Sequence, residues 1–195
     1  MAGRLTVITG PMFSSKTLDL IGAAEKAKIA GNLVQAFHPD MSSRWKKDAI
    51  VSRFGGTEGM ISIPSTPLVD LSDFFTKYFN RVYTNVVLFD EVMFFDNSIL
   101  NVVATLRKMN IDVYAAGLDL DVFGAPFGPM PGLLAMADVV IKKTGICHDC
   151  KEDEGRISYT EVSLEDKPKE NYRKVGNAQY LCLCWDCYFA RIGGR

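Results

Sequence analysis

Near its N-terminus the chain reads Gly10-Pro11-Met12-Phe13-Ser14-Ser15-Lys16-Thr17. An apolar run at 5–9 precedes this stretch, and a helix-like pattern begins at Lys16. A strand, a tight turn and a helix N-terminus in this order predict a phosphate-binding loop, because backbone N–H groups and a lysine then converge on one anion. Ser15 replaces the last glycine of the GxxxxGK[ST] pattern, and a serine can follow that path if its φ stays negative. A Gly-Pro turn before an ordinary helix capped by Ser14 is the alternative.

Strand-like and helix-like stretches alternate from this loop to about residue 143. The runs around Val7 and Val86 are continuously apolar, which is typical of parallel strands covered on both faces. The sequence therefore predicts an α/β fold with a P-loop core and a mainly parallel sheet, with ligands at the carboxyl ends of the strands. The predicted strands are 5–9, 33–37, 60–63, 86–89, 112–116 and 139–142, and the predicted helices are 16–30, 68–79, 98–109 and 132–136.

The character of the chain changes at about Thr144. Residues 151–179 are rich in charge and glycine, show little helical periodicity and lie between two cysteine pairs. We therefore predict a nucleotide-binding domain at 1–143 and a small module with a long loop at 144–195.

Bulk composition argues against several classes of protein. The chain has 195 residues, a formal net charge of −1 and no basic cluster, so a nucleic-acid partner is not expected. Its apolar runs stay below about 18 residues, and it lacks a signal sequence, so no membrane partner is expected. Five cysteines do not form a secreted disulfide framework, which favours a reducing, cytoplasmic setting.

A second phosphate-site element follows the apolar run at 86–89. Asp90 at the strand tip is placed to serve Mg²⁺, and Glu91 lies one residue further into the cleft, where it could accept a proton from an attacking hydroxyl. A strand end with two solvated acids is the alternative.

Two C-x-x-C pairs predict a metal site near the C-terminus. Cys147 and Cys150 form the first pair, and Cys184 and Cys187 form the second. Four thiolates suit a tetrahedral structural Zn²⁺ and leave no position open for catalysis. A redox role is the alternative for either pair alone. Cys182 and His148 are not expected to be ligands.

A glycine-rich stretch at 117–128 follows the strand predicted at 112–116. It is expected to cross the rim of the active site. Phe127 lies in this stretch, and its ring could pack against a base or sugar, or could anchor the loop to the core.

These motifs, in this order and spacing, resemble the type II thymidine kinases over nearly the whole chain, from Arg4 to Phe189. The resemblance implies an ATP-dependent kinase that phosphorylates the 5′-hydroxyl of thymidine or a related pyrimidine deoxynucleoside. It also implies a zinc-anchored lasso over the nucleoside, a homotetramer and feedback inhibition by dTTP.

The resemblance assigns roles residue by residue. Glu91 is implied as the catalytic base, Lys16 as the group that neutralises transition-state charge, and Thr17 and Asp90 as the residues serving Mg²⁺. The remaining implied ATP-binding positions are Gly10, Pro11, Met12, Phe13, Ser14, Ser15 and Arg44. The implied nucleoside-binding positions are Phe94, Val122, Phe127, Thr160, Asn171, Tyr172, Arg173, Lys174, Val175 and Tyr180.

The chain also departs from that family's pattern around both ligand sites. The unusual residues are Ser15, Ser42, Met93, Val122, Gly124 and Trp185. Because the proposed base, lysine and metal acid are retained, a working kinase with altered substrate preference or rate is expected. A kinase-derived protein that binds nucleotide with little or no turnover is the alternative.

Overall fold

The computed structural model describes residues 1–40, 48–53, 60–68, 70–161 and 180–193. Their main feature is a six-stranded sheet with helices on both faces. The strands are β1 (Leu5–Thr9), β2 (Val34–Pro39), β3 (Ala49–Arg53), β4 (Met60–Pro64), β5 (Thr66–Leu68), β6 (Val86–Phe89), β7 (Asp112–Gly117), β8 (Val139–Lys142), β9 (Ile157–Tyr159) and β10 (Leu181–Leu183). The α-helices are α1 (Lys16–Ile29), α2 (Ser98–Lys108), α3 (Met130–Met136) and α4 (Trp185–Gly193).

The six-stranded sheet has the order β5-β2-β6-β7-β1-β8, and all its strand pairs are parallel. Strand β1 lies between β7 and β8, and β6 lies on the far side of β7. The carboxyl ends of β1, β6 and β7 therefore meet at one edge, where α/β proteins bind their ligands. The α/β, mainly parallel fold predicted from the sequence is confirmed.

Both faces of the central strands are buried, which explains their continuous apolar sequence. In β6, Val87 and Phe89 pack into one core cluster, whereas Val86 and Leu88 pack into the other. Helix α1 covers the second cluster, and helices α2 and α3 cover the first. This three-layer packing holds the phosphate loop between the buried strand β1 and helix α1, whose buried residues are Leu20, Ile21 and Ala24.

The C-terminal module contains a separate small sheet. Strands β9 and β10 pair antiparallel, and helix α4 follows directly. Cys147, Ile157, Leu183 and Tyr188 belong to its small core. A domain division at residues 143 and 144 stays a prediction.

The helix predicted at 68–79 is wrong. Leu68 ends strand β5, and only a π-helical turn at Phe74–Tyr78 follows. The Asp70 carboxylate accepts hydrogen bonds from the Ser72 backbone N–H at 2.8 Å and from the Ser72 hydroxyl. Such local hydrogen bonds compete with the backbone hydrogen bonds of a helix. Leu71 and Phe74 are both buried and three residues apart, which is also the spacing of apolar residues on one face of a helix.

The other predicted elements are present, with ends that differ by no more than two residues. Strand 60–63 corresponds to β4, which pairs with β3 in a hairpin rather than joining the main sheet. Five elements were not predicted, all of them nine residues or shorter: β3, β5, β9, β10 and α4. No helix in the described ranges is long and apolar enough to cross a membrane.

Candidate active site

Gly10 makes the turn that leads from β1 into the phosphate loop. Its φ is +141°, and a Cβ at this position would lie 2.4 Å from the carbonyl oxygen of Lys143. Only glycine fits this close approach. The loop then passes over the end of the sheet and enters helix α1 at Lys16.

Ser15 adopts a left-handed backbone conformation, with φ at 61° and ψ at 25°. The condition that its φ stays negative is therefore not met, although the serine does occupy this position of the loop. The geometry of the loop overrides the preference of the residue, because the chain must turn sharply at the N-terminus of α1. Ser14 does not act as the alternative helix cap, since its hydroxyl donates to the carbonyl of Pro11 at 2.7 Å.

The strain at Ser15 leads to a stability prediction. We expect Ser15→Gly to raise the free energy of unfolding by about 1 kcal/mol, because a left-handed L-residue costs about 1–2 kcal/mol and glycine does not pay that penalty. The melting temperature then rises by about 2–4 °C in a thermal scan. Asn110→Gly is the matched control, since Asn110 has the same φ of 61° outside the loop; asparagine tolerates that conformation, so its gain is smaller. A lower melting temperature for Ser15→Gly contradicts this prediction.

Lys16 begins helix α1 and turns back over the loop. Its ammonium donates to the carbonyl of Pro11 at 2.6 Å and lies 3.4 Å from the Ser14 hydroxyl. Burial removes this ammonium from water and lowers the pKa of Lys16 to about 8. The nearby negative charges of Asp90 and Asp119 act in the other direction and raise the pKa. Burial alone disfavours the charge, so the neighbouring acids support the protonated form.

Thr17 and Asp90 meet across the edge of the sheet. The Thr17 hydroxyl donates to an Asp90 carboxylate oxygen at 3.2 Å. Burial raises the pKa of Asp90 to about 6, although the backbone N–H of Glu91, the Lys16 charge and Thr17 lower it. A hydroxyl and a carboxylate at this spacing are oxygen ligands of the kind that Mg²⁺ prefers.

Glu91 follows in a left-handed conformation, with φ at 49°. Its backbone N–H donates to the Asp90 carboxylate at 3.0 Å, and a short 3₁₀ turn at Val92–Phe94 begins directly after it. This sharp turn at the end of β6 directs the chain along the cleft. Glu91 therefore lines the same cleft as Lys16.

The cleft encloses a volume of about 200 Å³ and is partly open to solvent. Its polar lining includes Lys16, Thr17 and the two acids, and most of its other lining residues are apolar. The Phe94 and Phe127 rings meet edge to face at a centroid distance of 5.6 Å. Phe127 is only 5% exposed, belongs to the core and also lines the cleft. Its ring therefore anchors the loop at 117–128 to the core and forms part of the cleft lining. The remaining lining residues are Met12, Phe13, Met93, Gly117, Leu118, Leu120, Asp121, Val122, Ser158 and Tyr180.

The structure brings most of the predicted site residues that it describes to this cleft. Thr160 is buried just beyond β9 and is not part of the cleft lining in the described ranges. Arg44 and the predicted backbone contacts at Asn171, Tyr172, Arg173, Lys174 and Val175 lie outside the described residues. Ser42 lies outside them too.

Two residues at the site were not singled out from the sequence. Asp119 is only 6% exposed, and its carboxylate forms an ion pair with Lys142 at 3.0 Å. Ser158 accepts a hydrogen bond from the backbone N–H of Met12 at 2.9 Å. Asp119 follows the end of a predicted strand, and this position could have identified it as a site residue. No sequence pattern around Ser158 indicates a role at the site.

The four cysteines of the two C-x-x-C pairs form one cluster. Their sulfur atoms all lie within 4.8 Å of one another, and those of Cys150 and Cys184 are 3.8 Å apart. A tetrahedral zinc with Zn–S bonds of about 2.3 Å requires an S–S distance of about 3.8 Å. The donor set and its spacing therefore fit a structural Zn²⁺.

The surroundings of Cys147 favour its thiolate. Burial opposes ionisation of Cys147, but hydrogen bonds from the backbone N–H groups of Cys184, Cys150 and Asp149 lower the pKa of its thiol to about 6. Donors of this kind orient and stabilise metal-bound thiolates. His148 and Cys182 are not part of the cluster found among the described residues, and the Cys182 backbone N–H lies 3.0 Å from the Nδ1 atom of His148.

Comparisons with known proteins agree with this arrangement. The thymidine kinase family model matches residues 3–188. The chain belongs to the thymidine kinase family. Two relatives from Bacteroides fragilis, strains YCH46 and ATCC 25285, are named thymidine kinase. Each is 37% identical over 189 residues, which cover 95% of this chain and 87% of the relative.

Family membership confirms the resemblance drawn from the sequence. The protein is a thymidine kinase enzyme, and ATP is the phosphoryl donor that the family implies. The thymidine kinase fold explains why a phosphate loop, an acidic strand end and a cysteine cluster occur together in one short chain.

Proposed function

We propose that the cleft aligns the γ-phosphate of ATP with the 5′-hydroxyl of thymidine and that Glu91 acts as the general base. The observation that carries this proposal is that Lys16 and Glu91 line one cleft with an apolar wall beside them. The backbone of residues 10–17 and the Lys16 ammonium bind the phosphates, as a glycine-initiated loop before a helix allows. Phe94, Val122, Phe127 and Tyr180 contact the nucleoside.

The transfer step follows from these positions. The 5′-oxygen attacks the γ-phosphorus, the bond from that phosphorus to the β–γ bridging oxygen breaks, and ADP leaves. The hydroxyl proton passes to the Glu91 carboxylate. Lys16 stabilises the charge that gathers on the transferring group. Thr17 and Asp90 would hold Mg²⁺, which offsets the negative charge of the phosphates when bound.

The remaining assignments extend this proposal. Thr160, Arg44 and the backbone from Asn171 to Val175 complete the two binding sites. The cysteine cluster holds Zn²⁺ and keeps the β9–β10 sheet beside the cleft. The enzyme acts in the cytoplasm as a homotetramer that dTTP inhibits, without a nucleic-acid or membrane partner.

A panel of nucleosides tests the proposed reaction. With ATP and Mg²⁺, we expect formation of thymidine monophosphate, weaker turnover of deoxyuridine and no product from purine deoxynucleosides, because the chain belongs to a family named for a pyrimidine nucleoside and a purine is the larger base. Product separation by chromatography measures each rate. Tight binding of nucleotide without product from any nucleoside would instead support the binding protein with little turnover.

A further inference from the structure

The peptide unit between Pro11 and Met12 is held on both sides. Its carbonyl oxygen accepts hydrogen bonds from the Lys16 ammonium at 2.6 Å and the Ser14 hydroxyl at 2.7 Å. Its N–H donates to the Ser158 hydroxyl at 2.9 Å. Because a trans peptide is planar, its C=O and N–H groups point in opposite directions, so fixing one fixes the other.

Ser158 belongs to the C-terminal module, yet it contacts the phosphate loop. It lies on β9 opposite Cys182 of β10 and is only 2% exposed. A second contact lies nearby, since the Phe13 ring packs on the His148 ring at a centroid distance of 5.2 Å. The zinc-binding part of the chain therefore borders the ATP side of the cleft as well as its nucleoside side.

We propose that Ser158 is a positioning residue for phosphoryl transfer, acting through the Pro11–Met12 peptide on the Lys16 ammonium. The inference rests on the proposed function. If the peptide rotated, the Pro11 carbonyl would leave Lys16, and the ammonium would lose its closest hydrogen-bond acceptor. The Ser158 hydroxyl prevents this rotation because it accepts the N–H on the far side. A hydroxyl 146 residues away along the chain thus sets the position of the phosphate lysine.

Substitution of Ser158 by alanine tests the positioning role. We expect the KM for ATP to rise about tenfold in Ser158→Ala, because the Met12 N–H loses its acceptor and the peptide is freed. The KM for thymidine and the zinc content remain within about twofold of wild type, since the β9–β10 pairing does not need the hydroxyl. Ser158→Thr keeps a hydroxyl, so its KM for ATP should return close to the wild-type value.

The control is Ser52→Ala, a buried serine on β3 outside the cleft. It removes the same group and should leave both KM values unchanged. A rise of both KM values in Ser158→Ala by the same factor, or a loss of zinc, would show a structural role and overturn the proposal.

Two further readouts do not depend on turnover, and the second of them does not depend on whether a variant folds. Calorimetry with the non-hydrolysable analogue AMP-PNP should show the same tenfold weakening in Ser158→Ala, even if no nucleoside is phosphorylated. In the wild-type protein, hydrogen–deuterium exchange at the Met12 amide should be slow, because that N–H is hydrogen-bonded to a buried group. Exchange at the rate of an exposed loop amide would overturn the proposal by itself.

Discussion

Glu91→Gln is expected to lower kcat for thymidine about 1,000-fold while the dissociation constant for ATP changes less than twofold. Glutamine has the size of glutamate but cannot accept a proton, and general-base catalysis contributes about 100- to 10,000-fold. A 1,000-fold loss corresponds to about 4 kcal/mol of transition-state stabilisation. Steady-state rates and calorimetry with AMP-PNP separate the two quantities.

Glu91→Gln should leave the local backbone of Glu91 unchanged. The left-handed backbone at φ 49° and the hydrogen bond from its own N–H to Asp90 do not depend on the ionisation of its side chain. Glu25→Gln is the matched control, because Glu25 is exposed on α1 and forms a local ion pair with Lys28. Turnover of Glu91→Gln within tenfold of wild type would remove Glu91 from the role of base.

The sequence predicted the core of the fold because that core is encoded locally. Strands β1 and β6 are apolar on both faces, so their runs of Val, Leu and Ile stand out without any knowledge of their partners. Helix α1 begins at the lysine of the phosphate-loop motif. Local pattern and global packing agree in these elements.

The errors arose where tertiary contacts override local pattern. The apolar spacing through Leu71 and Phe74 suggested a helix, but side-chain hydrogen bonds at Asp70 and pairing of β5 with β2 decide the backbone there. A serine was expected to fit the loop only with a negative φ, yet Ser15 occupies it with a positive φ. Both cases depend on forces that a single-sequence pattern does not contain.

The site itself was predictable only in part for a related reason. Lys16, Thr17, Asp90 and Glu91 belong to two sequence motifs, and the residue types in these motifs predict phosphate and metal binding. Ser158 meets Met12 across 146 residues of chain, and its own neighbourhood carries no motif. Only the folded chain brings these two together.

Cys147→Ser is expected to abolish zinc binding and to remove most of the kinase activity. The Cys147 side chain is fully buried, and the neighbouring backbone N–H groups lower the pKa of its thiol, so its thiolate is the best-supported donor of the cluster. Loss of contacts around a metal ligand alone costs about 10- to 100-fold in metal affinity, and loss of the ligand itself costs more. Metal analysis should find one zinc per wild-type chain and less than about a tenth of that in the variant.

Activity should fall with the metal, although none of the four cysteines borders the cleft in the described part of the chain. Ser158 and Tyr180, which do border it, lie on or beside the β9–β10 sheet. That sheet is held by a small core in which Cys147 and Cys184 are members, so losing the metal removes a large share of the energy that orders it.

Cys182→Ala separates the role of the metal from that of a buried cysteine. Cys182 is also fully buried and lies on β10, but it is not part of the cluster. Its replacement should keep one zinc per chain and most of the activity, at a modest loss of melting temperature. If Cys147→Ser kept both its zinc and its rate, the four sulfur atoms would not be a metal site. If it lost zinc but kept its rate, the C-terminal module would not support the cleft, and the link through Ser158 would have to be abandoned with it.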